Sequence, residues 1–243
     1  MRTMAKAQPR QIDLLGNPIE YEVRSSAEAS EPRIDVDIHG VTVVIPESED
    51  VRPLRLLKEN AAWVVDQQRK YDTYREQVPD RIFEAGACFP FLGQDRELVI
   101  ESRRKHEADE DSIRLRKSAI EQSSVKRVLE NFYRSRARDH LNERTDHYAE
   151  HMGVKYKKLE LRNQRTRWGS CSTGGTISLN WRLIMAPPDV VDYLVVHELV
   201  HLTEQHHGRE FWQLVEEHIP NYKEKAEWLE LNSAKLVFSE EDV

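Results

Sequence analysis

The chain has 243 residues, of which 39% are hydrophobic and 33% charged, and its formal net charge is −7. That length allows one large domain or two small ones. No apolar stretch approaches the roughly 18 residues of a membrane span, and residues 1–17 lack the apolar core of a secretion signal. The two cysteines, Cys88 and Cys171, lie outside any C-x-x-C pattern. We therefore expect a cytoplasmic protein with reduced thiols and no membrane association.

The first hundred residues combine a polar start with β-type patterns. Residues 1–31 are polar, which predicts a flexible leader. Two alternating runs, separated at His39-Gly40, predict a β-hairpin. Their apolar residues are Ile34, Val36, Ile38, Val41, Val43 and Ile45. A helical pattern from Pro53 to about Gln77 and a second β segment over 89–100 complete a predicted β-rich N-terminal region, residues 32–101.

A charge-dominated stretch follows, and residues 102–122 are predicted to be a solvated, charged linker. Beyond it, the pattern predicts a long amphipathic helix from about Ser124 to Met152 and strands over 154–182. Another helix is predicted to begin near Pro187-Pro188, where proline is tolerated in the first turn. Two further helices are predicted after Gly208.

The most informative motif is an H-E-x-x-H run in an apolar helical sequence, residues 195–202. His197 and His201 lie one turn apart on one helix face, so both imidazoles can reach one ion at roughly 2.0–2.1 Å. Glu198 lies about 100° around the helix from His197, where it can contact an ion-bound water as a general base. The motif predicts zinc and hydrolysis by a zinc-activated water, although nickel, cobalt and iron also accept imidazole ligands.

The third ligand has two candidates, His206 and His207. On a straight helix, His207 would lie about 9 Å along the axis from His201 and roughly 120° around it. It can join the ion only if the chain breaks or turns near residues 204–206, and Gly208 offers bent backbone close by. The spacing itself does not separate His207 from His206.

Basic residues are concentrated over residues 153–182, which hold seven Lys or Arg against the single acid Glu160. The seven are Lys155, Lys157, Lys158, Arg162, Arg165, Arg167 and Arg182. This excess indicates either a solvated strand face or a surface for an anionic partner such as nucleic acid.

Four sequence blocks resemble the YgjP-like metallopeptidase family, which is related to SprT-like and WLM-type peptidases. They are Arg-Trp-Gly-Ser-Cys at 167–171, Ile-Ser-Leu-Asn-Trp-Arg-Leu at 177–183, His-Glu-Leu-Val-His-Leu at 197–202, and His207 with Phe211-Trp212. The resemblance implies an α+β fold, with a zincin-like domain over 123–243 that holds a small mixed sheet and the H-E-x-x-H helix. It also implies that His197, His201 and His207 bind zinc and that Glu198 is the catalytic acid/base. It favours His207 over His206, where the family usually has asparagine.

These observations predict a zinc metallopeptidase that acts on a protein or peptide. The alternatives are a zinc hydrolase of a non-peptide amide and a non-catalytic metal-binding module, which could act at nucleic acid as SprT-like proteins do. The strands before the metal helix are either a sheet edge that receives an extended peptide or plain core. Tyr193, Tyr222 and nearby arginines are all candidates for stabilising the oxyanion.

Overall fold

The computed structural model describes residues 10–27, 29, 31–37, 40–48, 51–164 and 167–238. The chain divides into two compact units, one that ends at Val78 and one that begins at Pro79. The described residues form α-helices and three mixed β-sheets, which confirms the predicted α+β class. None of the described helices combines the length and apolar content needed to cross a membrane.

The first unit is a four-stranded sheet with two helices. Its elements are β1 (Arg10–Leu14), β2 (Asn17–Ser26), β3 (Arg33–Asp37), β4 (Gly40–Pro46), α1 (Pro53–Glu59) and α2 (Ala61–Glu76). The strand order is β1-β2-β4-β3, with β2 and β4 parallel and the other pairs antiparallel. The β3–β4 pair confirms the predicted hairpin, while Ile38 and His39 lie outside the described residues.

The start of the chain differs from the predicted leader, because β1 and β2 lie within residues 1–31. Leu14, Ile19 and Tyr21 are buried there and pack with Val41 and Val43 of β4. The buried residues of β2 alternate with exposed ones, so a polar average composition concealed a strand with one apolar face. The single helix predicted from Pro53 to about Gln77 is two helices, α1 and α2.

The second unit begins with another four-stranded sheet and a long helix. The elements are β5 (Cys88–Phe91), β6 (Gln94–Glu101), β7 (Glu107–Ala108), β8 (Ser112–Arg116), α3 (Lys117–Glu121) and α4 (Val125–Met152). The strand order is β5-β6-β8-β7, with β6 and β8 parallel. Helix α4 matches its prediction closely: the Ser124 side chain accepts a hydrogen bond from the Arg127 N–H, and Gly153 ends the helix in the left-handed conformation.

The predicted linker over 102–122 is instead part of this unit, since it contains β7, β8 and α3. Ile113 and Leu115 are fully buried, while Arg114 and Arg116 alternate with them. A strand with one apolar face needs only every second residue to be apolar, so the high charge of the segment was misleading. The two units divide after Val78, and not at the predicted linker.

The rest of the second unit surrounds a three-stranded sheet. Its elements are β9 (Lys158–Arg162), β10 (Gly169–Cys171), β11 (Thr176–Asn180), α5 (Pro188–Val200), α6 (Arg209–His218) and α7 (Tyr222–Asn232), with short 3-10 helices at Trp181–Met185 and Ser233–Leu236. The order is β10-β11-β9, with β9 parallel and β10 antiparallel to β11, so β10 is an edge strand. This is the small mixed sheet that the resemblance implied.

Candidate active site

Helix α5 is the element that positions the site. It begins with Pro188 in its first turn and is buried along most of its length. The Arg144 guanidinium of α4 donates two hydrogen bonds to Asp192 of α5, at 2.6 and 2.8 Å, and Tyr148 donates a third at 3.3 Å. Lys225 of α7 pairs with Asp189 at 2.5 Å. These contacts to α4 and α7 fix the N-terminal half of α5.

Three histidines converge at the C-terminal end of α5. His197 lies in the last turn, His201 directly follows the helix, and His207 comes from the loop before α6. One ring nitrogen of each lies within 4.8 Å of the others, and the Nε2 atoms of His197 and His207 are 3.1 Å apart. His206 is exposed and outside this group. The structure therefore brings together the three predicted ligands and leaves His206 aside.

The convergence depends on the chain turn that the helix geometry required. Helix α5 ends at Val200, whose carbonyl accepts hydrogen bonds from the N–H groups of Thr203 and Glu204 at 2.9 and 2.8 Å. The Glu204 carbonyl in turn lies 3.0 Å from Nδ1 of His201. With Nδ1–H donating to that carbonyl, the Nε2 lone pair of His201 is available to a metal.

Phe211 forms the floor beneath the three imidazoles. This side chain is fully buried, and its ring centroid lies 4.9 Å from His197, 4.6 Å from His201 and 4.6 Å from His207. Trp212 stacks near His207, with ring centroids 5.7 Å apart and an angle of 27° between the ring planes. Phe211 is thus a core residue that also sets the position of all three rings.

The carboxylate of Glu198 lies close to the edge strand β10. It is buried, and a Cβ atom built on Gly169 would lie only 2.4 Å from its Oε1. Glycine is therefore the residue that lets α5 and β10 approach this closely. Burial raises the pKa of Glu198 to about 8, and the Arg167 guanidinium opposes that rise. Oε2 has no hydrogen-bond partner among the described residues, so it is available to a substrate or a water.

The three imidazoles suit a metal ion by their charge state and spacing. Burial lowers the pKa of His197 to about 3, with further lowering by His201 and His207, so this ring is neutral. Neutral imidazole is the form that binds metals. Two nitrogens bound tetrahedrally at about 2.0–2.1 Å lie about 3.4 Å apart, close to the His197–His207 separation. The donor set therefore fits a single ion such as zinc.

Other predicted residues lie farther from the histidines or are already engaged. Tyr193 is buried, with its ring centroid 6.0 Å from that of His197, and Tyr222 stacks on Trp212. In the basic segment, Glu160 pairs with Lys158 and Arg162, and Arg182 is buried. Arg165 lies outside the described residues. Lys155, Lys157 and Arg167 are exposed, and a surface for an anionic partner stays a prediction.

Two features of the site were not predicted from the sequence: the close approach of Gly169 and a hydrogen bond of His201. Gly169 stood in a recognised block, but its close approach to Glu198 was not foreseen, although a glycine inside a strand is a signal for such an approach. The hydrogen bond from His201 to the Glu204 carbonyl depends on backbone conformation, which no side-chain pattern encodes.

Three converging imidazoles beside a buried carboxylate are the arrangement of metal-dependent hydrolases. The sequence profile of the YgjP-like family, metallopeptidase domain, matches residues 30–232. The chain therefore belongs to the YgjP-like family and carries its metallopeptidase domain. No curated protein matches the chain significantly. One similar solved structure is the metallopeptidase zymogen abylysin of Pyrococcus abyssi, at 22% identity and a TM-score of 0.37, over 39% of this chain and 96% of that one.

Proposed function

We propose that this chain is a zinc-dependent metallopeptidase, with His197, His201 and His207 as zinc ligands and Glu198 as the general base. The observation that carries the proposal is the convergence of three imidazole nitrogens within 4.8 Å, with the buried carboxylate of Glu198 on the residue that follows His197. Family membership supports the peptidase class. A purely structural metal site has no use for a buried base next to the ligands, which argues against the non-catalytic alternative.

When bound, zinc supplies Lewis acidity that makes water more nucleophilic and a carbonyl more electrophilic. The remaining chemistry belongs to Glu198. In its ionised form, which the charge of a bound dication would favour, the carboxylate accepts a proton from the attacking water, and the same oxygen then donates that proton to the departing amine. The close approach of Gly169 limits the positions that this carboxylate can occupy.

The position of β10 supports a peptide as the substrate. This strand is an edge of its sheet, and Gly169 within it contacts the Glu198 carboxylate. An extended peptide that adds to this edge forms backbone hydrogen bonds that hold it beside the base. A small non-peptide amide gains none of these hydrogen bonds, so the edge favours a peptide.

The test is the substitution Glu198→Gln, which keeps the shape of the side chain and removes the base. We expect peptide hydrolysis to fall by about 10²–10⁴-fold, while bound zinc, measured by mass spectrometry of the metal, is unchanged. The matched control is Glu216→Gln on the exposed face of α6, which should leave hydrolysis intact. The assay is cleavage of a panel of unfolded proteins.

His201→Ala completes the experiment, because it should lose the metal as well as the activity. A wild-type protein that holds zinc but cleaves no member of the panel would contradict the peptidase assignment. Equal hydrolysis by wild type and Glu198→Gln would contradict the role of the base.

A further inference from the structure

A second polar cavity, of about 700 Å³, lies elsewhere in the second unit. Its walls are the loop after β6, the end of β8, helix α3 and the first turns of α4. The cavity is open to solvent, and its volume falls within the range of about 300–1,000 Å³ that is typical of small-molecule sites. The cavity is built largely from the segment that had been predicted to be a linker.

The charge of the cavity is one-sided. Arg104, Lys105, Arg116 and Arg136 line it together with His106, and no described carboxylate does. Among the described residues, no ion pair involves any of these four cations, because the nearby acids pair with other arginines. Arg103 pairs with Glu101 and Glu107, and Arg114 pairs with Asp109. An anion that enters this cavity therefore meets uncompensated positive charge.

Two of the basic residues are held in place inside the cavity wall. The backbone N–H of Arg116 donates to Nδ1 of His106 at 3.1 Å, which leaves the His106 proton on Nε2 as a donor. Burial and the neighbouring Arg116 and Arg103 lower the pKa of His106, so its ring is neutral. Nε of Arg116 is buried without a hydrogen-bond partner among the described residues. Unpartnered buried donors of this kind are costly unless a ligand accepts from them.

The floor of the cavity is apolar and aromatic. Phe132 and Val128 of α4 are both buried and both line it. The Arg136 guanidinium lies 5.3 Å from the Phe132 ring centroid, and the His106 ring lies 6.5 Å from it at an edge-on angle. Neutral donors and acceptors, among them Asn131 and Ser135, complete the lining. Because the Arg136 guanidinium lies over the buried Phe132 ring, a ligand with a planar ring finds a guanidinium surface here as well as positive charge.

We propose that this cavity binds a nucleotide, with its phosphates at Arg104, Lys105 and Arg116 and its base against the Arg136 guanidinium. The cavity shares no residue with the histidine site. The two are separated along α4: the cavity uses residues up to Arg136, whereas Tyr148 and Met152 pack near α5 and α6. The twelve residues of α4 from Arg136 to Tyr148 span about 18 Å, which separates the cavity from the histidine site.

The direct test is calorimetric titration of the full chain with ADP, in wild type and in Arg136→Gln and Arg116→Gln. We expect saturable binding of one ADP, weakened by about tenfold or more in each variant, because a hydrogen bond to a charged group is worth at least that factor. The matched control is Arg127→Gln, an exposed arginine of α4 that does not line the cavity, and it should bind like the wild type. Absence of ADP binding, or equal binding in Arg136→Gln, would overturn the proposal.

Further titrations identify the part of the ligand that is recognised. Adenosine and pyrophosphate should each bind more weakly than ADP, since each lacks one half of the ligand. Pyrophosphate binding as tightly as ADP, or a single-stranded oligonucleotide binding more tightly, would overturn the assignment to a single nucleotide. His197→Ala should bind ADP like the wild type, and a loss there would mean that ADP binds at the histidine site. If a variant does not fold, hydrogen exchange of the wild type replaces it as the test. ADP should then protect residues 104–106 and 128–136 from exchange. Absence of protection there would refute the site.

Discussion

The histidine site and the basic cavity lie in the same unit but are organised in opposite ways. At the histidine site, three ring nitrogens lie within 4.8 Å, a buried phenylalanine contacts every ring, and a glycine backbone touches the carboxylate. The basic cavity instead distributes its charges around about 700 Å³, and two of its cations, Arg104 and Lys105, are exposed. Short-range packing defines the first site, and long-range electrostatics defines the second.

This difference predicts different sensitivities. A site that depends on close packing is disturbed by adding or removing a few atoms, even when no charge changes. A site that depends on summed charge tolerates small changes in shape but responds to charge removal and to salt. The following predictions separate the two.

The largest expected effect comes from Phe211→Ala. Removing a fully buried phenylalanine should lower the free energy of unfolding by about 3–5 kcal/mol. Because Phe211 contacts all three imidazoles, we also expect metal affinity to fall by more than tenfold, measured by competition with a chelator.

Phe238→Ala is the matched control for Phe211→Ala. Phe238 is also almost fully buried, but its aromatic neighbours are Phe83, Tyr133 and Trp181 and not the histidines. Phe238→Ala should lower the free energy of unfolding by a similar amount and leave metal affinity unchanged. If both variants lose metal equally, Phe211 acts only through global stability.

The next effect is that of Gly169→Ala, a change of one methyl group. The new Cβ would lie 2.4 Å from Oε1 of Glu198, so the carboxylate must move. A displacement of this size should reduce kcat/KM by about 10²-fold while the bound metal is retained. In Gly174→Ala, the new Cβ meets only Ser172 Oγ, at 3.9 Å, and activity should be unchanged. Full activity in Gly169→Ala would show that the close contact has no catalytic role.

The sequence predicted the parts of this molecule in which local pattern and tertiary structure agree. Helix α5 is apolar along most of its length, and its two motif histidines lie one turn apart, so both the helix and the pair could be derived from the spacing. The need for a turn before His207 also followed from helix geometry, although the choice between His206 and His207 did not. That choice depends on the backbone path after Val200, which several hydrogen bonds determine together.

The sequence predictions were wrong where the high average charge or polarity of a segment concealed an alternation of apolar and polar residues. In β8, Ile113 follows Ser112 and precedes Arg114, and Leu115 lies between two arginines; in β2, Ile19 lies between Pro18 and Glu20, and Tyr21 between two glutamates. Both strands bury the apolar residues completely or nearly so. A test for period-two alternation, applied before the test for charge, identifies both strands. The basic cavity was not predicted for a different reason: its lining residues come from separate elements and lie together only in the folded chain.

The smallest expected effect is that of ionic strength, and it contrasts the two sites within one protein. Raising the salt concentration from 50 to about 300 mM should weaken ADP binding severalfold, because the exposed cations of the cavity are screened at separations near or beyond 10 Å. Hydrolysis of an uncharged peptide should change by less than about twofold, since the groups at the histidine site interact at contact distances and the peptide carries no charge to be screened. Titration calorimetry and a peptide-cleavage assay in the same buffers give both values. Equal salt dependence of the two would contradict the distinction between a packed site and an electrostatic one.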